Sequence, residues 1–243
     1  MSWNRALAEL RCGKVFPLDK ARMSLYLQSH DVLLGRLEGR PISRKFPHPE
    51  KSFRLTDSSD PVAVLRVHCA MITDDEWVRT DSELDLSWEK VRFSKDSFAE
   101  IALTGSFSSY SRQFTSEELK AGSPELTNTG SFEKCWRIEE GAWWLYKSEN
   151  DLEHFSELFI AALGKALGFS MSEYAEAGAY LKTREFTLGR YNFEPAEAIV
   201  GEDEDYILNY DRLSALKPSL GLEYPDILFM DALCFNMDRH TKN

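Results

Sequence analysis

The chain has no run of about 18 apolar residues, the length a bilayer-crossing helix requires. Its most apolar segment, DILFMDALCF, is interrupted by Asp231. The start, MSWNRALAELRCGKVF, carries Arg5, Glu9, Arg11 and Lys14, so it lacks the apolar core of a secretory signal. Cysteine is scarce: Cys12, Cys69, Cys135 and Cys234 form no C-x-x-C pair and have no histidine at ligand spacing, which argues against a zinc module and a disulfide scaffold. Positive charge is in deficit as well, with 29 Lys and Arg against 40 Asp and Glu and a net charge of −11. A surface built on phosphate-backbone contacts is not expected from that balance. These absences predict a soluble cytoplasmic protein with reduced thiols, no membrane and no direct nucleic-acid partner.

What is present suits a folded globular protein: 43% hydrophobic and 12% aromatic residues over 243 positions, enough for one large domain or two small ones. No repeat or low-complexity tract occurs. The strongest punctuation is Ser116 to Gly130, SEELKAGSPELTNTG, where a boundary or functional loop is expected. Ahead of it, Leu25 to Leu37 and Val62 to Val67 read as short strands, and Phe98 to Leu103 fits helix or strand equally. His30, His48 and His68 lie in this portion as isolated residues. After the loop, Lys134 to Ile138 and Ala142 to Lys147 predict a β-hairpin closed by Glu139, Glu140 and Gly141. Apolar residues then recur at Leu152, Phe155, Leu158, Phe159, Ala162, Leu163, Ala166 and Leu167, with Gly168 as a stop, which predicts a helix of about four turns. Glu202 to Asp205 reads as a solvated loop, and Pro225 opens a helix over Ile227 to Phe235.

Four features carry chemistry. The first is the terminal string Asp238, Arg239, His240, Thr241, Lys242, Asn243, with a carboxylate and a carboxamide 243 − 238 = 5 positions apart. A catalytic Asp that takes up a hydroxyl proton and an Asn that gives a neutral oxygen to Mg²⁺ stand at this spacing in phosphoryl-transfer loops. A polar surface loop following a helix would use the same residues. The second is TNTGSFEK, from Thr127 to Lys134, whose backbone N–H groups suit phosphate oxygens, although it contains neither G-x-G-x-x-G nor a Walker A sequence. The third is Lys147, the cation that ends the apolar strand WWLYK. The fourth is Glu157, nearly opposite the large apolar stripe of its helix at about 100° per residue. Ile160, Ala161 and Gly164 share its side, so that face is expected to be covered, which suits a glutamate paired with a strand lysine.

The order of phosphate loop, hairpin ending in Lys, helix with Glu, and Asp and Asn five apart is the order of parts in a kinase. SPELTNTGSFEKCWRIEEGAWWLYK, FSELFIAALGKALG and DALCFNMDRHTKN resemble the HipA-like serine/threonine kinases, especially the shorter CtkA-type branch. The resemblance covers residues 116 to 243. It implies an α+β, two-lobed protein-kinase-like fold with a variable mixed α/β N-terminal subdomain over 1–115, a β-rich ATP-binding N-lobe over 116–190, and the beginning of a helical C-lobe over 191–243. It implies ATP and Mg²⁺ as cofactors, a protein Ser or Thr hydroxyl as acceptor, and an antitoxin-like partner. Gly130, Ser131 and Phe132 would form the phosphate loop, Lys147 the ATP-contacting lysine, Glu157 its partner, Asp238 the catalytic base and Asn243 a metal ligand. Asp231 and His240 would support the loop, and Thr127 or Ser131 would be autophosphorylated. The resemblance also implies a second metal-binding Asp beyond Asn243, so an incomplete kinase is expected. A non-catalytic nucleotide- or partner-binding remnant is the alternative, with a phosphoinositide-type kinase behind it.

Overall fold

The computed structural model describes residues 1–2, 4–11, 14–29, 67–94, 134–147, 151–201, 205–237, 239 and 241. The architecture is α+β with antiparallel sheets. The N-terminal portion opens with a two-stranded ribbon, β1 (Ala8–Arg11) against β2 (Lys14–Pro17), followed by helix α1 (Leu25–Ser29). The strand expected from Leu25 is therefore a helix in its first five residues; 30–37 lie outside the described residues. The competing signal is Ser24, whose Oγ accepts from the Leu27 N–H at 3.4 Å and whose carbonyl accepts from the Gln28 N–H at 3.0 Å. A serine at that position starts a helix by satisfying an N–H of the first turn, and this local gain overrides the alternation of Leu25 and Leu27. Val67, expected as the end of a strand, sits in a turn that runs into His68 and Cys69 at φ 53° and 57°. Around it Ala70, Trp77 and Trp88, the last on the short helix α2 (Trp88–Val91), form a buried cluster covered by Met1, Leu86, Val91 and Phe93.

The four-stranded sheet has the order β3-β4-β6-β5, with β3 (Lys134–Glu139), β4 (Ala142–Lys147), β5 (Tyr174–Ala177) and β6 (Tyr180–Arg184) all antiparallel. Aromatic residues at alternating positions explain the first hairpin, where Trp136 and Trp143 meet edge to face at 6.4 Å, a favourable ring geometry. Its turn is shorter than the sequence suggests. Glu139 pairs with Ala142, so only Glu140 and Gly141 form the loop, at φ 50° and 79°. Two consecutive left-handed residues match the right-handed twist of the strands, which draws Glu139 into the ladder.

Helix α3 (Asp151–Ala166) links β4 to β5. It ends where expected: the Gly168 N–H reaches the Lys165 carbonyl at 3.0 Å and the Phe169 N–H the Gly164 carbonyl at 2.9 Å, the paired bonds of a glycine-terminated helix. Its covered face is the small one. Ala161 and Gly164 are buried and Glu157 is half-buried, whereas Leu152, Phe155 and Phe159 are 78%, 62% and 53% exposed. The large apolar stripe is thus the outer side of the helix. Small residues let the backbone approach its neighbours, and a Cβ on Gly164 would lie 2.7 Å from Met171 Cγ.

Beyond β6, a connector over 185–196 leads to the short helix α4 (Glu197–Val200), then α5 (Tyr206–Leu216) and α6 (Pro218–Cys234). Asp205, expected in a solvated loop, caps α5 by accepting from the Ile207 and Leu208 N–H groups at 2.9 and 3.0 Å; 202–204 lie outside the described residues. Helix α6 begins at Pro218, and Pro225, expected to open it, lies inside. Proline at the first position costs no hydrogen bond, and packing of α6 on α5 holds the helix through the second proline. Gly221 lies close against Ser214 of α5: a Cβ there would come within 3.1 Å of Ser214 Cα. Among the described residues, no helix is long and apolar enough to cross a membrane.

Candidate active site

The strand β4 ends at Lys147 and, after 148–150, the chain enters α3, so a cation at the strand's last position lies beside the second turn of the helix. Lys147 Nζ donates to both oxygens of Glu157, at 2.5 and 2.7 Å. The two side chains are 14% and 26% exposed. The ammonium also lies 5.6 Å from the centre of the Tyr174 ring on β5, where the π face attracts a cation. A flexible lysine is thereby held in one place by a carboxylate from the helix and a ring from the sheet. Two of the sequence-predicted site residues are brought together by this contact.

The opposite face of β4 carries a second polar group, which the sequence reading did not single out. Glu139 accepts from Lys182 Nζ and from the Tyr146 hydroxyl, and Lys182 lies 4.7 Å from the Trp144 ring centre. Burial works against the Glu139 carboxylate, but the bonds from Lys182 and Tyr146 outweigh it and hold its pKa below the usual value. Burial and the same bond push the Tyr146 phenol up. Charged and aromatic residues at alternating strand positions were the legible signal for this network. It leaves Lys182 engaged on the far side of the sheet from Lys147.

At the other end of the described chain, Asp231 in the last turn of α6 receives Arg239 through two parallel bonds, Nε to Oδ2 at 2.7 Å and Nη2 to Oδ1 at 2.8 Å. Asn236 Nδ2 adds a third at 2.7 Å. The helix closes there with the Asn236 N–H on the Asp231 carbonyl at 2.8 Å and Phe235 at φ 55°. Burial disfavours the charged carboxylate of Asp231, yet the bonds from Arg239 and Asn236 prevail and its pKa is lowered. One aspartate thus fixes both the exit from the helix and the arginine of the terminal string. The Thr241 carbonyl accepts the Glu197 N–H at 2.7 Å, fastening the same loop to the start of α4. Arg239 and Asn236 were missed as partners of Asp231, although their spacing from a helix end is the available clue.

Comparison of the chain with protein-family models, curated proteins and solved structures gives no match. Gly130, Ser131, Phe132, Thr127, Asp238, His240 and Asn243 lie outside the described residues. What is described is a lysine and glutamate pair between sheet and helix, and a clamped loop flanking position 238. Among the described residues, no cluster of three His, Cys, Asp or Glu side chains is arranged to hold a metal ion. The Lys147 ammonium suits an anionic ligand, since a fixed cation at a strand end supplies charge without the entropy cost of ordering a free lysine.

Proposed function

We propose that the chain is an ATP- and Mg²⁺-dependent kinase of the HipA-like class, in a two-lobed arrangement, that transfers the γ-phosphoryl group to a protein Ser or Thr hydroxyl. The observation that supports this reading is the two-pronged contact of Lys147 with Glu157, the pair that protein kinases use to hold the α- and β-phosphates. In this reading Lys147 binds those phosphates, Glu157 orients Lys147, and Gly130, Ser131 and Phe132 supply backbone donors. Asp238 takes the proton of the attacking hydroxyl. A bond forms between that oxygen and the γ-phosphorus, the bond to the β–γ bridging oxygen breaks, and ADP leaves. Asn243 is the residue that would hold Mg²⁺, which when bound neutralises charge on the phosphates.

Incubation of the full chain with Mg²⁺ and γ-labelled ATP tests the proposal. Label on Thr127 or Ser131, abolished by Asp238→Asn, is the expected result. Absence of label together with ATP binding that ignores Mg²⁺ would instead support the non-catalytic nucleotide-binding remnant.

A further inference from the structure

Among the described residues, the N-terminal portion is hydrogen-bonded to the connector that joins the sheet to the C-terminal helices. The Phe193 N–H donates to the Thr73 carbonyl at 2.9 Å. The Asp75 N–H donates to Asn192 Oδ1 at 3.1 Å, and Asn192 Nδ2 returns a bond to Asp75 Oδ1 at 2.7 Å. Ser2 Oγ also donates to Asp75 Oδ1, at 3.1 Å, and the Met1 ammonium donates to the Trp77 carbonyl at 3.0 Å. The clasp is therefore braced by the first two residues of the chain. A short distance on, α1 packs against α4, and α4 is the helix whose first N–H is taken by Thr241. Arg212 on α5 bonds the Val200 carbonyl at the other end of α4.

These contacts make a continuous path from segment 73–75 through 192–193 and α4 to the terminal loop. An N–H at a helix start has no partner within the helix, so the position of α4 decides whether the Thr241 carbonyl has a donor to rest on. We infer that the N-terminal portion is a positioning element for the terminal loop, with Asp75 and Asn192 as the residues that transmit its hold. This inference rests on the proposed kinase reading only for its consequence in catalysis. The mechanical coupling stands on the contacts themselves.

The test uses the full chain with Asn192→Ala, and with the exchange Asp75→Asn plus Asn192→Asp. The exchanged pair keeps a carboxylate facing a carboxamide and an acceptor for the backbone N–H at 75. Amide hydrogen exchange is expected to rise about 10-fold or more in the segments holding Glu197 and Thr241 in Asn192→Ala, while β4 and β6 keep their protection, since local opening is confined to the weakened unit. The exchanged pair should restore the protection. In phosphoryl transfer, kcat should fall by roughly 3- to 30-fold with KM for ATP unchanged. Faster exchange limited to 73–75 and 192–193, or failure of the exchanged pair to restore Glu197, would overturn the inference. A wild-type chain that transfers no phosphate would count against the kinase reading, and the exchange measurements would still decide the coupling.

Discussion

Lys147 is the residue on which the proposed site turns, because its ammonium already faces the Glu157 carboxylate and a phosphate bound there would share it. If the ammonium contacts ATP phosphates, Lys147→Ala weakens ATP binding by about 1.5 to 3 kcal/mol, the worth of bonds to charged groups. Glu157→Ala should weaken it less, because the ammonium remains but loses its fixed position. The double variant should cost less than the sum, since both changes dismantle one coupled unit. Calorimetric titration of the four proteins with ATP and Mg²⁺ measures this; strict additivity would mean that Glu157 does not act through Lys147. Asp231 gives a pH signature at the same scale. Its folded pKa is lowered, so its contribution is fully present above the unfolded value of about 3.9 and is lost as pH falls through the folded value. Melting temperatures of wild type and Asp231→Asn should therefore differ near neutrality and converge in acid. A gap that persists at the lowest pH would show that the carboxylate charge is not what Arg239 relies on.

At the scale of elements, the α5 and α6 pair depends on Gly221. A methyl group there would stand 2.9 Å from Ser214 Cβ and 3.1 Å from its Cα, closer than side-chain relaxation alone can relieve. Gly221→Ala should cost about 1 to 3 kcal/mol, as overpacking does, and Ser214→Gly in the same chain should recover part of it, measured by urea unfolding. The elements differ in how readable they were. The hairpin and α3 were legible because their aromatic alternation and apolar spacing agree with the final structure, and Gly141 and Gly168 carry the positive φ angles their turns require. α1 and α5 were hidden because a single side chain, Ser24 or Asp205, decides each start. The start of α6 was misplaced because two prolines, Pro218 and Pro225, compete for one role that depends on what α5 covers. The covered face of α3 was readable from Glu157, Ala161 and Gly164, but the outward position of Phe155 and Phe159 contradicts the rule that large apolar residues face inward. The Lys147 to Glu157 contact was legible from chain order, whereas the Asp231 to Arg239 contact required knowing where α6 ends.

For the whole molecule, the net charge of −11 opposes the approach of a polyanion such as ATP, so under the proposed function binding would rest on local cations and on Mg²⁺ carried with the nucleotide. Ligand that binds only the folded state stabilises it by about 2.7 kcal/mol at 100 times Kd. For a chain of this size that corresponds to roughly 5 to 10 °C in Tm, at about 2 to 4 °C per kcal/mol. Saturating ATP with Mg²⁺ should produce a rise of that order in wild type and a much smaller one in Lys147→Ala. ATP without Mg²⁺ should also give less, because the nucleotide then meets the acidic surface with its full charge. Raising the salt concentration should narrow that last difference, since screening weakens the long-range repulsion but leaves the short contact at Lys147 largely intact. Equal shifts in wild type and Lys147→Ala would move the nucleotide away from the β4 and α3 junction and sink the site assigned to it.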